Sequence, residues 1–373
     1  MDDKKRNLSE KRWRPDTLIS QRKSEHLQIV ADHDVAHCGN TLLDNIHLLH
    51  QALPELDSDE IDLSLEFFSK KINAPFIITS MTGGAEFARE MNCSFANSAQ
   101  KEGVAFAVGS QRVMLHHPEV ASDFTVRQHI PDGVLLGNIG AVQLSEYPPE
   151  VIARLVESIE ADGICVHLNV AQELMQKEGH RHFRGLLDKI AYLVDYLEGR
   201  VLVKETGAGM SPEMLGKLSS IGVSYIDVSG SGGTSFTKVE MHRAPDMDLR
   251  RLAETFADWG VPTAVSVIGA RRIFKDRACL VASGGIATGL DAARAIAAGA
   301  DMVGFARPAL YAFLKKGTDG VTALIKCFKQ ELKTAMLLTG SKNVTALQRA
   351  ARVYTGELHQ WLSAYGWLDE GKQ

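Results

Sequence analysis

The run ICVHLNVAQE (164–173) changes character partway. Ile164, Val166 and Leu168 suit a buried strand, while His167, Asn169, Gln172 and Glu173 crowd its end. An imidazole, two amides and a carboxylate cost free energy when buried without partners, so the cluster reads as a ligand-facing rim; a helix cap is the competing reading. Lys204 ends another apolar run, VLVKE (201–205); it either pairs with Glu205 at the surface or, as an ammonium in a water-poor site, attracts an anion. Two glycine-rich stretches, SGSGGTS (229–235) and SGGIATG (283–289), supply backbone that can approach a phosphate. Gly284 and Gly285 alone would fit a tight turn equally well; the second stretch favours a phosphate cradle. Arg22, Lys23 and His26 lie together in QRKSEHL (21–27); a charged segment of this kind is ordinarily a solvated helix face, and with Arg112 it also offers the fork and point charge that suit a diphosphate. A phosphate cradle beside a central lysine points to FMN, with Lys204 at the N1 edge of the reduced ring.

These residues need a scaffold that brings them together. From Pro75 onward eight short apolar runs alternate with helical patterns: PFIITS, VAFAVGS, VLLGNIG, ICVHLN, VLVKE, YIDVSG, CLVASGG and MVGFA. Such alternation predicts right-handed βαβ units and a parallel sheet, here an α/β fold of the (β/α)8 TIM barrel type with its ligands at the C-terminal ends of the strands. The run VPTAVSVIGARRIF follows helical spacing from Pro262 and is read as helix. A doubly wound sheet would carry GxGxxG or GxxxxGK[ST], and neither is present. Ser80, Met81, Thr82, Ser110, Gln111, Arg112, Asn138, Ser229, Ala306 and Arg307 then converge on the same mouth. The expected division is an N-terminal extension and substrate-binding segment (1–70), the barrel (71–310) and C-terminal helices packing on it (311–373).

Composition narrows the function class. With 373 residues, 45% of them hydrophobic, the chain can bury a large core, and a net charge of −5 argues against nucleic-acid binding. No apolar run approaches a membrane span, and MDDKKRNLSEKRWRPD has no signal-like apolar region. Five cysteines lie singly, as reduced core residues of a cytoplasmic protein rather than a disulfide or zinc framework.

Assembled, these features resemble the type 2, FMN-dependent isopentenyl-diphosphate isomerase family, through RKSEHL, SMTGG, VGSQR, GNIGA, HLNVAQE, VKETGAGMS, DVSGSGGTSF, SGGIATGLDAARAIAAGAD and LTGSKNV. The resemblance implies interconversion of isopentenyl and dimethylallyl diphosphate. It implies FMN contacts from Ser80, Met81, Thr82, Ser110, Asn138, Lys204, Ser229, Thr234, Gly284, Gly285, Ala306 and Arg307. Substrate contacts would come from Arg22, Lys23, His26, Ser110, Gln111, Arg112, His167, Asn169 and Gln172, with Gln172 beside the reacting carbons as the catalytic candidate, either a proton relay to the flavin N5 or a positioning group, and Glu173 on Mg2+. It further implies reduced FMN as the active form, NADPH as reductant, and a homo-oligomer, tetramer or octamer. Two residues depart from the family pattern: Ala287 stands where many members have arginine, and Phe236 where tryptophan is frequent. Rival readings lack their residues. A 2-hydroxy-acid oxidase carries an SNHGGRQ-like loop where this chain has SGSGGTS, and an IMP dehydrogenase needs a cysteine that neither glycine-rich loop contains. A non-catalytic phosphate-binding barrel would have no use for Gln172, Glu173 and Lys204 together.

Overall fold

The computed structural model describes residues 18–81 and 86–368, the side chains of 18–24 and 86–87 excepted. All eight apolar runs form strands: β1 (Phe76–Ile78), β2 (Ala105–Ala107), β3 (Leu135–Gly140), β4 (Gly163–Leu168), β5 (Val201–Glu205), β6 (Tyr225–Asp227), β7 (Cys279–Ala282) and β8 (Met302–Phe305). They pair in parallel in chain order, and β8 returns to β1, closing the barrel. Every position of β1, β3 and β5 is buried, as expected of strands covered on one face by helices and on the other by the lumen.

Around them run α1 (Leu18–Asp32), α2 (Glu86–Glu102), α3 (Pro149–Ser158), α4 (Val170–Leu174), α5 (Leu186–Tyr196), α6 (Pro212–Ser220), α7 (Phe236–Arg243), α8 (Met247–Thr255), α9 (Thr263–Phe274), α10 (Gly289–Ala297) and α11 (Arg307–Leu338). Helix α9 is the run that helical spacing had separated from the strands. Thr263 to Ala270 are all buried, which explains its strand-like apolar content. Helix α11 bends at Lys316–Gly317, where Gly317 adopts φ +59°.

Inside the barrel Ile77, Ala105, Leu136, Cys165, Leu202 and Met302 form a small core. The antiparallel hairpin Leu65–Phe67/Lys70–Ile72 plugs its N-terminal end, with Phe68 stacked on Tyr225 at 4.1 Å between ring centroids. Burying each such aromatic contributes roughly 1.5–3 kcal/mol. Residues before the barrel thus close its floor as well as reaching its mouth. The chain after α11 is not helical throughout, because Arg352–Tyr354 is a strand paired antiparallel with Ile46–Leu48. Three residues are too few to reveal a period of two.

At the mouth, α1 brings His26, Leu27 and Val30 over the strand ends, and the Tyr311 hydroxyl donates to the Val30 carbonyl at 3.0 Å. The following segment straps the loop after β6: the His37 N–H donates to the Gly233 carbonyl (2.9 Å) and the Ser235 N–H to that of Val35 (2.8 Å). The cysteines are free thiols. Cys165 is buried, but Cys38 and Cys327 are exposed, so the core reading does not extend to them. Among the described residues no helix is long and apolar enough to cross a membrane.

Candidate active site

A cavity of about 480 Å³ opens at the C-terminal ends of the strands, a size suited to a cofactor with a small substrate. Strand register sets its floor. Gly140, His167, Lys204 and Asp227 are successive partners across β3 to β6, so these four positions belong to one layer. His167 Nδ1–H donates to Asn138 Oδ1 at 2.7 Å, which fixes the ring. Lys204 is buried and donates to the Glu205 carbonyl at 2.7 Å. The Glu205 carboxylate instead accepts the N–H groups of Gly207 and Ala208 at 2.6 and 2.5 Å, and burial pushes its pKa up to about 7. Lys204 is therefore not half of a surface pair with Glu205. Asp227, also buried, accepts from Ser283 Oγ (2.6 Å) and the Ser229 N–H (3.1 Å); burial raises its pKa and the Lys204 charge opposes that rise. The sequence signal for Asp227 is YIDVSG, in which an acid ends an apolar strand.

The second wall comes from α4 and α7. Glu240, 1% exposed, is a buried anion shared by several elements. Its Oε1 accepts from Gln172 Nε2 (2.9 Å) and Gln176 Nε2 (2.6 Å), and Oε2 from Arg243 Nη1 (2.6 Å). His26 Nε2 lies 2.9 Å from Oε1, at an angle outside hydrogen-bond geometry. Burial alone would raise the Glu240 pKa, but His26, Arg243 and Gln172 outweigh it and hold the carboxyl at about 2. The Asn169 amide donates to Gln172 Oε1 (3.2 Å) and Glu173 Oε1 (3.0 Å), while Glu173 Oε2 accepts the His180 N–H (2.8 Å). Asn169 thus orients its two neighbours within the wall.

The glycine-rich loops meet where the sequence placed a phosphate cradle. Gly284 adopts φ +96°, and a Cβ there would lie 2.0 Å from the Gly230 carbonyl oxygen, so no side chain fits. Ala306 and Arg307, at the N-terminus of α11, line the same cavity. Ser80 Oγ is buried there without a hydrogen-bond partner. Two loops in backbone contact, a helix N-terminus, a buried ammonium and an unsatisfied hydroxyl fit a phosphorylated flavin. For a divalent ion the donor set is thinner: no group of three His, Cys, Asp or Glu capable of chelation occurs among the described residues. Glu173 alone fits Mg2+ only in the mode where substrate phosphates and water complete the shell.

The cavity gathers His26, Ser80, Met81, Ser110, Arg112, Asn138, His167, Asn169, Gln172, Glu173, Lys204, Ser229, Thr234, Gly284, Gly285, Ala306 and Arg307 from the residues singled out in the sequence. Gln111 is the correction. It opens a 3-10 turn and is fully buried, its Oε1 accepting the Asn138 N–H (3.0 Å) and its Nε2 donating to the Leu155 carbonyl (3.0 Å), so it braces β3 instead of facing substrate. Thr82 lies outside the described residues, as do the side chains of Arg22 and Lys23, whose backbone runs in α1. Ala287 and Phe236, the two departures, both line the cavity. Glu240, Gln176 and Gln143 were missed.

Residues 146–353 match the FMN-dependent dehydrogenase family. The barrel is similar to solved mandelate oxidases, including one with (S)-2-phenylpropionate (TM-score 0.62, 16% identity, 90% of this chain and 98% of the other). That likeness speaks to the fold. At the sequence level the chain is 41% identical over 350 residues to isopentenyl-diphosphate delta-isomerase of Pyrococcus furiosus, covering 91% of this chain and 88% of that protein. It is 43% identical over 331 residues to the Nostoc enzyme of the same name, covering 88% and 94%. With a flavin-type barrel and identity at this level along nearly the whole length, the chain belongs to the flavin-dependent, type 2 isopentenyl-diphosphate delta-isomerase family.

Proposed function

We propose that the protein interconverts isopentenyl and dimethylallyl diphosphate by adding a proton at one end of the allylic unit and removing one from the other, with reduced FMN and Mg2+ and no net oxidation. The observation that carries this reading is the cavity itself, in which Gln172 and Glu173 share one space with Lys204 and the paired glycine loops. Ser80, Met81, Thr82, Ser110, Asn138, Lys204, Ser229, Thr234, Gly284, Gly285, Ala306 and Arg307 would hold FMN. Reduced FMN, when bound, supplies electron density and acid/base chemistry to an alkene that acquires carbocation character as it is protonated.

The chain's own residues anchor and exclude. Arg112 and His167, with Arg22, Lys23 and His26 from α1, would hold the diphosphate, and Glu173 would hold Mg2+, which would neutralise head-group charge. Anchoring the head group in this way orients the remote carbons. Gln172 is a placed dipole and not a base. Its amide is held between Glu240 and Asn169, and an amide has no pKa suited to general base work. Leu27, Val30 and Leu310 give the mouth an apolar cover that keeps water from the reacting carbons. NADPH is the proposed reductant, and the active form is a cytoplasmic homo-oligomer, tetramer or octamer.

Net oxidation of a 2-hydroxy acid on the same barrel is the alternative, and SGSGGTS supplies neither the histidine nor the arginine it needs. Flavin-loaded enzyme, photoreduced without oxygen and given isopentenyl diphosphate and Mg2+, is expected to yield dimethylallyl diphosphate by proton NMR, whereas the oxidised enzyme is not. A reduced, flavin-loaded enzyme that leaves the substrate unchanged would overturn the proposal.

A further inference from the structure

Two further donor groups in the cavity wall lack a partner within the protein. Gln143 is 2% exposed, and its Nε2 is buried without a hydrogen-bond partner; Arg112 Nε is in the same state, and both residues line the cavity. Buried donors left unmade cost free energy, and in a native protein they call for an acceptor that the protein does not itself supply. Gln143 sits in the 3-10 turn Ala141–Ser145 directly after β3, so a short rigid connection holds its backbone. The turn places the amide over the strand end. A Cβ on Gly140 would lie 2.4 Å from Gln143 Oε1 and 3.0 Å from His167 Nε2, so the two side chains close over the one residue there that has none. An N–H donor next to an imidazole, in a cavity that a guanidinium also lines, is chemistry for phosphate oxygens, which are strong acceptors, and not for the apolar end of a substrate.

We infer that Gln143 is a further substrate-binding residue, donating its amide N–H to the anionic head group alongside Arg112 and His167. This rests on the reading of the cavity as a diphosphate site. Gly140 is then small so that Gln143 and His167 can both reach the head group.

The test is calorimetric titration of flavin-loaded enzyme with magnesium pyrophosphate, comparing the wild type with Gln143→Leu and Gln143→Glu, alongside steady-state kinetics. Loss of one hydrogen bond to a charged group should weaken pyrophosphate binding in Gln143→Leu by about ten- to a hundredfold and raise KM to match, with kcat nearly unchanged. Gln143→Glu should bind worse still, because a carboxylate repels the head group. Flavin absorbance reports that both variants retain the folded site. Pyrophosphate affinity within twofold of wild type in both variants would overturn the assignment. A wild type that binds pyrophosphate but makes no dimethylallyl product would instead refute the proposed reaction and leave Gln143 as an anion donor.

Discussion

Glu240→Gln perturbs the wall that holds Gln172, and its cost is readable as a pH dependence. The Glu240 carboxyl is lowered from an ordinary 4.5 to about 2 in the folded state by His26, Arg243 and Gln172 acting against burial. Such a lowering corresponds to ~3 kcal/mol of preferential stabilisation of the ionised form. Because the folded-state value is depressed, this stability is fully present above the unfolded value of 4.5 and is lost as pH falls toward 2. Glutamine keeps the shape and mimics the protonated acid. The stability gap between wild type and Glu240→Gln should therefore be ~3 kcal/mol near neutral pH and shrink to about 1 kcal/mol near pH 3. At 1% exposure little solvent screening reduces it. Urea denaturation of both proteins at the two pH values, followed by far-UV circular dichroism, measures the gap. A gap of equal size at both values would refute the electrostatic origin, leaving packing as its cause.

Gly284→Ala should abolish flavin retention, seen as loss of visible absorbance on purification, since its Cβ has no room against the Gly230 carbonyl. Glu173→Gln should raise the magnesium concentration needed for half-maximal turnover by at least tenfold on the logic of a lost charge-assisted ligand, and an unchanged magnesium profile would remove it as a ligand. In native protein, iodoacetamide should label the exposed Cys38 and Cys327, with Cys327 slowed because the Glu331 carboxylate raises its pKa. Burial pushes the Cys165 thiol up to about 12, so it should label only after unfolding, as peptide mass spectrometry would show.

The barrel was legible because each strand is a continuous apolar run ending in polar or glycine residues, a pattern carried within a few positions. Lys204 and the glycine pair could be found in this way, and so could Glu173. Gln111 shared the pattern and misled, since the turn that follows β2 directs its side chain beneath β3, and sequence alone does not show which way a 3-10 turn faces. Glu240 left no local trace. FTKVEMHR reads as an ordinary polar helix, and its bond to Gln172 spans 68 residues. The same holds for Gln143, whose significance is an absent partner rather than a motif. Arg352–Tyr354 was hidden by length alone.

The proposed reaction is a double-bond shift by proton addition and removal with no net redox change. Its most direct test is turnover of isopentenyl diphosphate by the reduced, flavin-loaded enzyme in D2O, with the product analysed by proton and deuterium NMR and the flavin spectrum recorded before and after. A proton shift predicts dimethylallyl diphosphate carrying solvent deuterium in a methyl group, formed over many turnovers with the flavin still reduced. Product without deuterium, or turnover that oxidises flavin in step with substrate, would contradict it.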